Sequence, residues 1–238
     1  MIVQACLNGA RPVGYHPALP LRPEAIAADA VAAVAAGAAE LHLHVRGADG
    51  RESLAPGDVD ATLLALRARL PGTFIGISTG AWIEPADDRR LAMIGGWREL
   101  PDYVSVNLSE AAAPAVIEHL HRRGVGIEAG LASVADTERL LQLGLGQLAL
   151  RLLIEIEEQD VEIARKVARD MCAVLARQGL RKPILLHGFD ATVWPLVDMA
   201  FEHRFSTRIG LEDGCLLPDG VRAGSNAELV MAACRRRR

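Results

Sequence analysis

Apolar residues recur along the chain in two rhythms that take turns. Short apolar or alternating runs, each closed by Gly, Pro, Asn or Ser, predict strands over 2–7, 40–45, 74–77, 103–106, 125–128, 147–154, 183–186 and 207–211. Between them lie longer stretches whose apolar positions return every three or four residues. They predict helices over 23–36, 56–70, 87–94, 111–122, 134–143, 159–178, 193–203 and 226–234. The punctuation agrees with this reading. Pro23 and Pro56 suit a first helical turn, and Gly37, Gly124, Gly144 and Gly179 suit positions just past a helix end. Eight strand–helix units joined by short turns predict an α/β fold, a (β/α)8 TIM barrel built as a single domain over 1–238. A doubly wound open sheet is the alternative, weakened because no G-x-G-x-x-G follows the first strand.

Composition narrows the function classes. Half of the 238 residues are hydrophobic but only 4% are aromatic, so the core is built from Ala, Leu, Ile and Val. The formal net charge of −4 provides no basic field for nucleic acid. The one basic run, Arg235 to Arg238, is expected to cap a helix C-terminus or fray in solvent rather than bind a partner. Four scattered cysteines without a C-x-x-C, no signal-peptide pattern and no run of membrane-spanning length lead to the expectation of a cytoplasmic protein with reduced thiols and no membrane partner.

Chemistry in such a barrel gathers where the strands end. Those ends supply Asn8, His42, His44, Ser78, Thr79, Asn107, Glu128, His187, Glu212 and Asp213. His42 and His44 alternate on one face of the second strand, and two imidazoles so placed can grip one ion. A carboxylate from the eighth strand, Glu212, completes a His2Glu set that leaves a coordination position open, as a catalytic zinc requires. The imidazoles favour zinc, with iron, manganese or nickel as alternatives. Ser78-Thr79-Gly80 reads either as a turn or as a place where backbone and hydroxyls meet an anion. His187 is balanced between a satisfied strand end and a site residue. His119, His121 and His203 read as helix-end surface residues, and Glu155, Glu157 and Glu158 as a solvated run. Metal-dependent amidohydrolases also use His-x-His, typically on the first strand with later histidines; here the pair is on the second.

Taken in order, Asn8-Gly9-Ala10, Gly37-Ala38, His42-Leu43-His44-Val45-Arg46, Asp49-Gly50-Arg51, Ile77-Ser78-Thr79-Gly80, Asn107, Arg208-Ile209-Gly210-Leu211-Glu212-Asp213, Gly220-Val221 and Ser225-Asn226-Ala227-Glu228-Leu229-Val230 resemble the β-keto acid cleavage enzymes. The resemblance covers most of the chain. It implies a zinc-dependent barrel that condenses a β-keto acid with acetyl-CoA to give acetoacetate and a new CoA ester, in a homo-oligomer, commonly a tetramer. It carries the metal ligands onto His42, His44 and Glu212, the catalytic Arg–Asp pair onto Arg208 and Asp213, and the family serine onto Ser78. Ser78, Thr79, Gly80, Asn107 and Glu128 are the expected substrate-binding residues. Arg208 stays charged and is expected to do electrostatic work, which leaves the base open between Asp213 and a metal-derived hydroxide. Three features depart from the family: Arg11 where an acidic residue is usual, Ile154-Glu155-Ile156-Glu157-Glu158 in place of a Gly/Pro-rich segment, and His187-Gly188-Phe189-Asp190 in place of a Gly-rich one. They imply altered handling of CoA, with Arg11 and His187 turned towards a more acidic substrate. A metal-dependent aldolase or hydrolase of a small acid, working without CoA, is the rival reading, and a metal-keeping barrel without catalysis is a second.

Overall fold

The computed structural model describes residues 1–237; Arg238, the last of the basic run, lies outside the described residues. Eight parallel strands alternate with eight helices: β1 (Val3–Cys6), α1 (Pro23–Ala35), β2 (Glu40–Leu43), α2 (Pro56–Arg69), β3 (Phe74–Ser78), α3 (Asp87–Gly95), β4 (Tyr103–Asn107), α4 (Ala113–Arg122), β5 (Gly126–Leu131), α5 (Val134–Gln142), β6 (Arg151–Ile156), α6 (Val161–Arg177), β7 (Ile184–Gly188), α7 (Val193–Glu202), β8 (Thr207–Ile209) and α8 (Asn226–Arg236). The sheet runs β7-β6-β5-β4-β3-β2-β1-β8. Its two ends meet through Ser206, whose amide donates to Ile184 O at 2.9 Å and whose carbonyl accepts from Leu186 N at 2.9 Å. The chain is therefore a (β/α)8 barrel, as the strand–helix rhythm predicts.

Alternation along the strands sorts the side chains into two environments. Leu41, Leu43, Ile75, Ile77, Val104, Val106, Ile127, Leu152 and Ile154 point outwards and join the aliphatic core beneath the helices. The inward positions are largely polar. Gln4, Glu40, Tyr103, Glu128 and Arg151 fill the lower barrel as one linked cluster. Gln4 Nε2 donates to Glu40 Oε1 and to the Tyr103 hydroxyl, both at 2.9 Å, and Arg151 Nε donates to Glu128 Oε1 at 2.5 Å. Buried polar groups are normally partnered, and these contacts tie the cluster together across the barrel floor.

Several strands end later than hydropathy predicts, β5, β6 and β7 by two residues or more, with β7 continuing to Gly188. β5 continues through Ala129-Gly130 to Leu131, and β6 continues to Ile156. Strand length here is set by pairing with the neighbours: Gly130 faces Leu153, and Glu155 faces His187. Glu128 thus lies mid-strand, and Glu155 takes a place at a strand end.

Helix ends are capped by side chains in the second half of the barrel. Ser133, Asp160 and Ser225 accept amide hydrogen bonds at the starts of α5, α6 and α8, each typically worth about 1 kcal/mol. Asn226, the first residue of α8, is buried and ties the barrel seam. Its Oδ1 accepts from Leu211 N at 2.7 Å, while its Nδ2 donates to Leu7 O at 2.8 Å and to Asp29 Oδ2 at 2.7 Å. The turn carrying Glu212 is thereby fixed against β1. No described helix is long and apolar enough to cross a membrane.

Candidate active site

The strand ends open onto a cavity of about 570 Å³ whose wall includes His42, His44, Ser78, Asn107, Glu155 and Arg208. At its floor the Nε2 atoms of His42 and His44 lie 3.8 and 3.5 Å from Glu212 Oε1. One ligand atom from each of the three residues falls within 4.8 Å of the others, and all three residues are buried. Ligands around one tetrahedral zinc sit roughly 3.3 Å apart, so little movement would bring these atoms onto a single ion. Glu212 Oε2 is buried without a hydrogen-bond partner among the described residues. Buried polar atoms are normally satisfied, and two imidazoles with an unsatisfied carboxylate oxygen form a donor set that fits a divalent metal.

Local sequence explains why these groups converge. The Asn8 side chain brackets the backbone of His44, accepting from its amide at 2.8 Å and donating to its carbonyl at 3.0 Å. Gly9 has φ +53°, and a Cβ there would stand 2.3 Å from Glu212 Cγ; only glycine lets the first loop pass beneath that carboxylate. Arg46 donates to the carbonyls of Gly9 and Arg11 and holds the loop in place. Glu52, which the sequence does not single out, accepts from His44 Nδ1 at 2.5 Å and from Trp82 Nε1 at 3.0 Å. That contact leaves His44 Nε2 free for an ion, the usual arrangement around a metal-binding imidazole. His42 Nδ1 has no such partner among the described residues.

The charges are strongly coupled. Burial holds the His42 imidazole well below its ordinary range, only partly opposed by Glu212. Burial also works against a proton on His44, but the Glu212 and Glu52 carboxylates outweigh it and raise that group to about 9. Burial favours neutral Glu212, yet Arg208 and the two imidazoles hold it well below the carboxylate range. A metal entering this floor therefore has to displace a proton from His44.

Arg208 is the pivot of the opposite wall. Its Nη2 donates to Glu212 Oε1 at 2.8 Å and its Nε to Asp213 Oδ1 at 3.2 Å. Asp213 is fully buried and does not line the cavity. His187, also buried, stands between two carboxylates, with Nδ1 3.2 Å from Asp213 Oδ1 and Nε2 3.4 Å from Glu155 Oε2. Glu155 Oε2 in turn lies 3.7 Å from Arg208 Nη2. His187 and Arg208 alternate with Asp213 and Glu155 in a ring that joins β6, β7, β8 and the turn after it. Glu155 is thus no part of a solvated run. Burial would raise its pKa, but His187 and Arg208 prevail and hold it below the usual range.

The remaining expected residues divide. Ser78 and Asn107 line the cavity. Thr79 spends its hydroxyl on Ser105 O at 2.7 Å, and Gly80 lies under the Trp82 ring. Glu128, expected at a strand end to meet substrate, sits in the barrel floor bound to Arg151 and Gln4, because β5 runs three residues beyond it. Arg11 does border the cavity, but it is already engaged. Its Nη2 donates to Asp190 Oδ1 at 2.8 Å, and its Nε to Glu212 O at 3.0 Å. His16 is a structural residue, with Nε2 2.9 Å from Ala223 O.

Comparison with known proteins places this geometry. The family model described as beta-keto acid cleavage enzyme matches residues 1–171 and 161–237. The 3-keto-5-aminohexanoate cleavage enzyme of Acetoanaerobium sticklandii is 24% identical over 243 residues, covering 97% of this chain and 89% of that protein. Among solved structures, apo ObcA superposes with a TM-score of 0.77 at 19% identity, covering 92% of this chain and 61% of ObcA. ObcA bound to oxaloacetate gives 0.72 at 18%, covering 92% of this chain and 63% of ObcA. This chain therefore spans less than two thirds of ObcA's length. With a family model spanning nearly its whole length, the chain belongs to the β-keto acid cleavage enzyme family.

Proposed function

We propose that this barrel is a zinc-dependent β-keto acid cleavage enzyme that condenses a β-keto acid with acetyl-CoA, yielding acetoacetate and a new CoA ester. The observation that carries the reading is the His42–His44–Glu212 set on the floor of a cavity walled by the buried guanidinium of Arg208. A divalent ion held by His42, His44 and Glu212 would supply Lewis-acid polarisation of the keto oxygen. Arg208 does the complementary work, a fixed cation beside the place where enolate charge develops. Asp213 holds the plane of that guanidinium through Nε. The Ser78 hydroxyl and Asn107 amide, both on the wall, offer hydrogen bonds to the substrate carboxylate. Trp82, half exposed, stacks on His44 at the cavity wall with ring centroids 6.1 Å apart.

Family membership and the ObcA complexes, one with a C4-CoA adduct and oxalate and one with oxaloacetate, support keto acid and CoA as the partner class. The family resemblance supports a homo-oligomer, a tetramer in the common form. One observation favours a second reading, a metal-dependent aldolase or hydrolase that needs no CoA. The end of β6 brings Glu155 and Glu157 to the cavity wall, where acyl-carrier phosphates would meet like charge.

A panel of β-keto acids incubated with and without acetyl-CoA, with CoA esters read by mass spectrometry, separates the two. New CoA esters formed only with acetyl-CoA support the first reading. Keto acid consumed equally without it supports the second.

A further inference from the structure

In the proposed reaction the carbon between ketone and carboxylate must lose a proton before it can attack an acyl group, so the site needs an acceptor. The cavity holds few. Glu212 belongs to the metal set. Asp213 is fully buried behind Arg208 and absent from the cavity wall. Glu157 stands on the exposed rim, and Asp190 is paired with Arg11. Glu155 differs from all of these. Glu155 lines the cavity, and its Oε2 lies at ion-pair distance from His187 Nε2, 3.4 Å, and from Arg208 Nη2, 3.7 Å. Its other oxygen, Oε1, turns over Gly130. A Cβ at residue 130 would stand 2.8 Å from that oxygen and 2.7 Å from Asn107 Oδ1, so glycine leaves the space in which the two oxygens face the cavity.

We propose that Glu155 is the catalytic base of this site, and that His187 is a positioning residue that holds it there by bridging it to the buried Asp213. The inference rests on the metal-dependent keto acid reading given above. The step is a proton transfer. The C–H bond at the carbon between ketone and carboxylate breaks, its electron pair enters the enolate, and the proton forms a bond to Glu155 Oε1. When the leaving acetoacetate enolate is released, the same proton returns to carbon, so no net proton is consumed.

Arg208 makes the transfer balanced. It lies against Glu155 before the step and against the new enolate afterwards, so negative charge moves across one guanidinium without being separated from it. The cation that weakens Glu155 as a base therefore stabilises the product of its action. His187 supports the arrangement from β7, where it is the register partner of Glu155 and packs edge-on against Phe189 with ring centroids 4.9 Å apart. The charged groups around the imidazole are Glu155, Asp213 and Arg208.

The test is deuterium exchange at that carbon of acetoacetate, followed by NMR in D2O with zinc-loaded protein and no CoA. Glu155→Gln should slow exchange by about 10²-fold or more, the range for loss of a general base. Zinc content and acetoacetate affinity by calorimetry should stay near wild type. His187→Gln should lose less, about tenfold, and should move the acidic limb of the exchange–pH profile. A structural role alone would not shift that limb. Wild-type-like exchange in Glu155→Gln, or abolition by Asp213→Asn while Glu155→Gln stays active, overturns the assignment and leaves the reading of the site intact. A wild-type protein that neither exchanges nor cleaves any keto acid overturns the reading itself, and this inference with it.

Discussion

Glu52 Oε1 lies 2.5 Å from His44 Nδ1, in a contact that crosses the loop between β2 and α2. The same carboxylate accepts from Trp82 Nε1, so one residue sets both the tautomer of a candidate metal ligand and the indole stacked on it. Glu52→Gln should keep the shape of this contact while removing its charge. Zinc affinity measured by chelator competition should fall about 10- to 100-fold, as loss of such outer partners typically costs. Unchanged affinity would show that His44 needs no carboxylate behind it.

Gly9 links the first loop to Glu212. Gly9→Ala introduces a Cβ in a left-handed conformation, against Glu212 Cγ. Zinc binding should be lost or weakened by at least about tenfold, since a displaced ligand is a missing ligand. The circular dichroism spectrum of a folded barrel should be retained.

Arg208→Lys keeps a cation but loses the planar fork that Asp213 and Glu212 hold. We expect kcat to fall about 10²-fold or more, with zinc content unchanged. Near-normal turnover would remove the guanidinium from the mechanism.

Asp29, away from the site, gives the chain a pH-dependent stability. Burial raises its carboxyl from 3.8 to about 6, with the Asn226 hydrogen bond only partly opposing. A folded-state pKa above the unfolded value means the folded protein holds the proton more tightly. The associated stability is full below about pH 4 and is lost as pH rises through about 6. Asp29→Asn should therefore match wild type near pH 4 and exceed it above pH 7, by at most about 3 kcal/mol. Urea melts at both pH values check this, and equal differences at the two would contradict it.

Much of the site could be read from sequence because it hangs on strand alternation. His42 and His44 share a face by period alone, and Glu212 follows from the polar pair expected to close a strand over 207–211, although β8 stops at Ile209 and the pair sits in the turn beyond it. What the sequence hid depends on where strands stop. Ala129-Gly130 looks like a turn, yet pairing with β4 and β6 extends β5 past it, which drops Glu128 to the barrel floor. Ile154-Glu155-Ile156-Glu157-Glu158 looks like a strand fading into solvent. β7 nevertheless pairs with it as far as Ile156, and Glu155 lands beside Arg208. Glu52 and Trp82 reach His44 from loops, a tertiary contact that no local pattern encodes.

The central claim is that His42, His44 and Glu212 hold one catalytic ion, and elemental analysis of purified wild-type and His44→Ala protein tests it most directly. The account predicts about one divalent ion, zinc, per wild-type chain and little or none in the variant at equal folding. A His44→Ala protein that keeps full metal occupancy would contradict it.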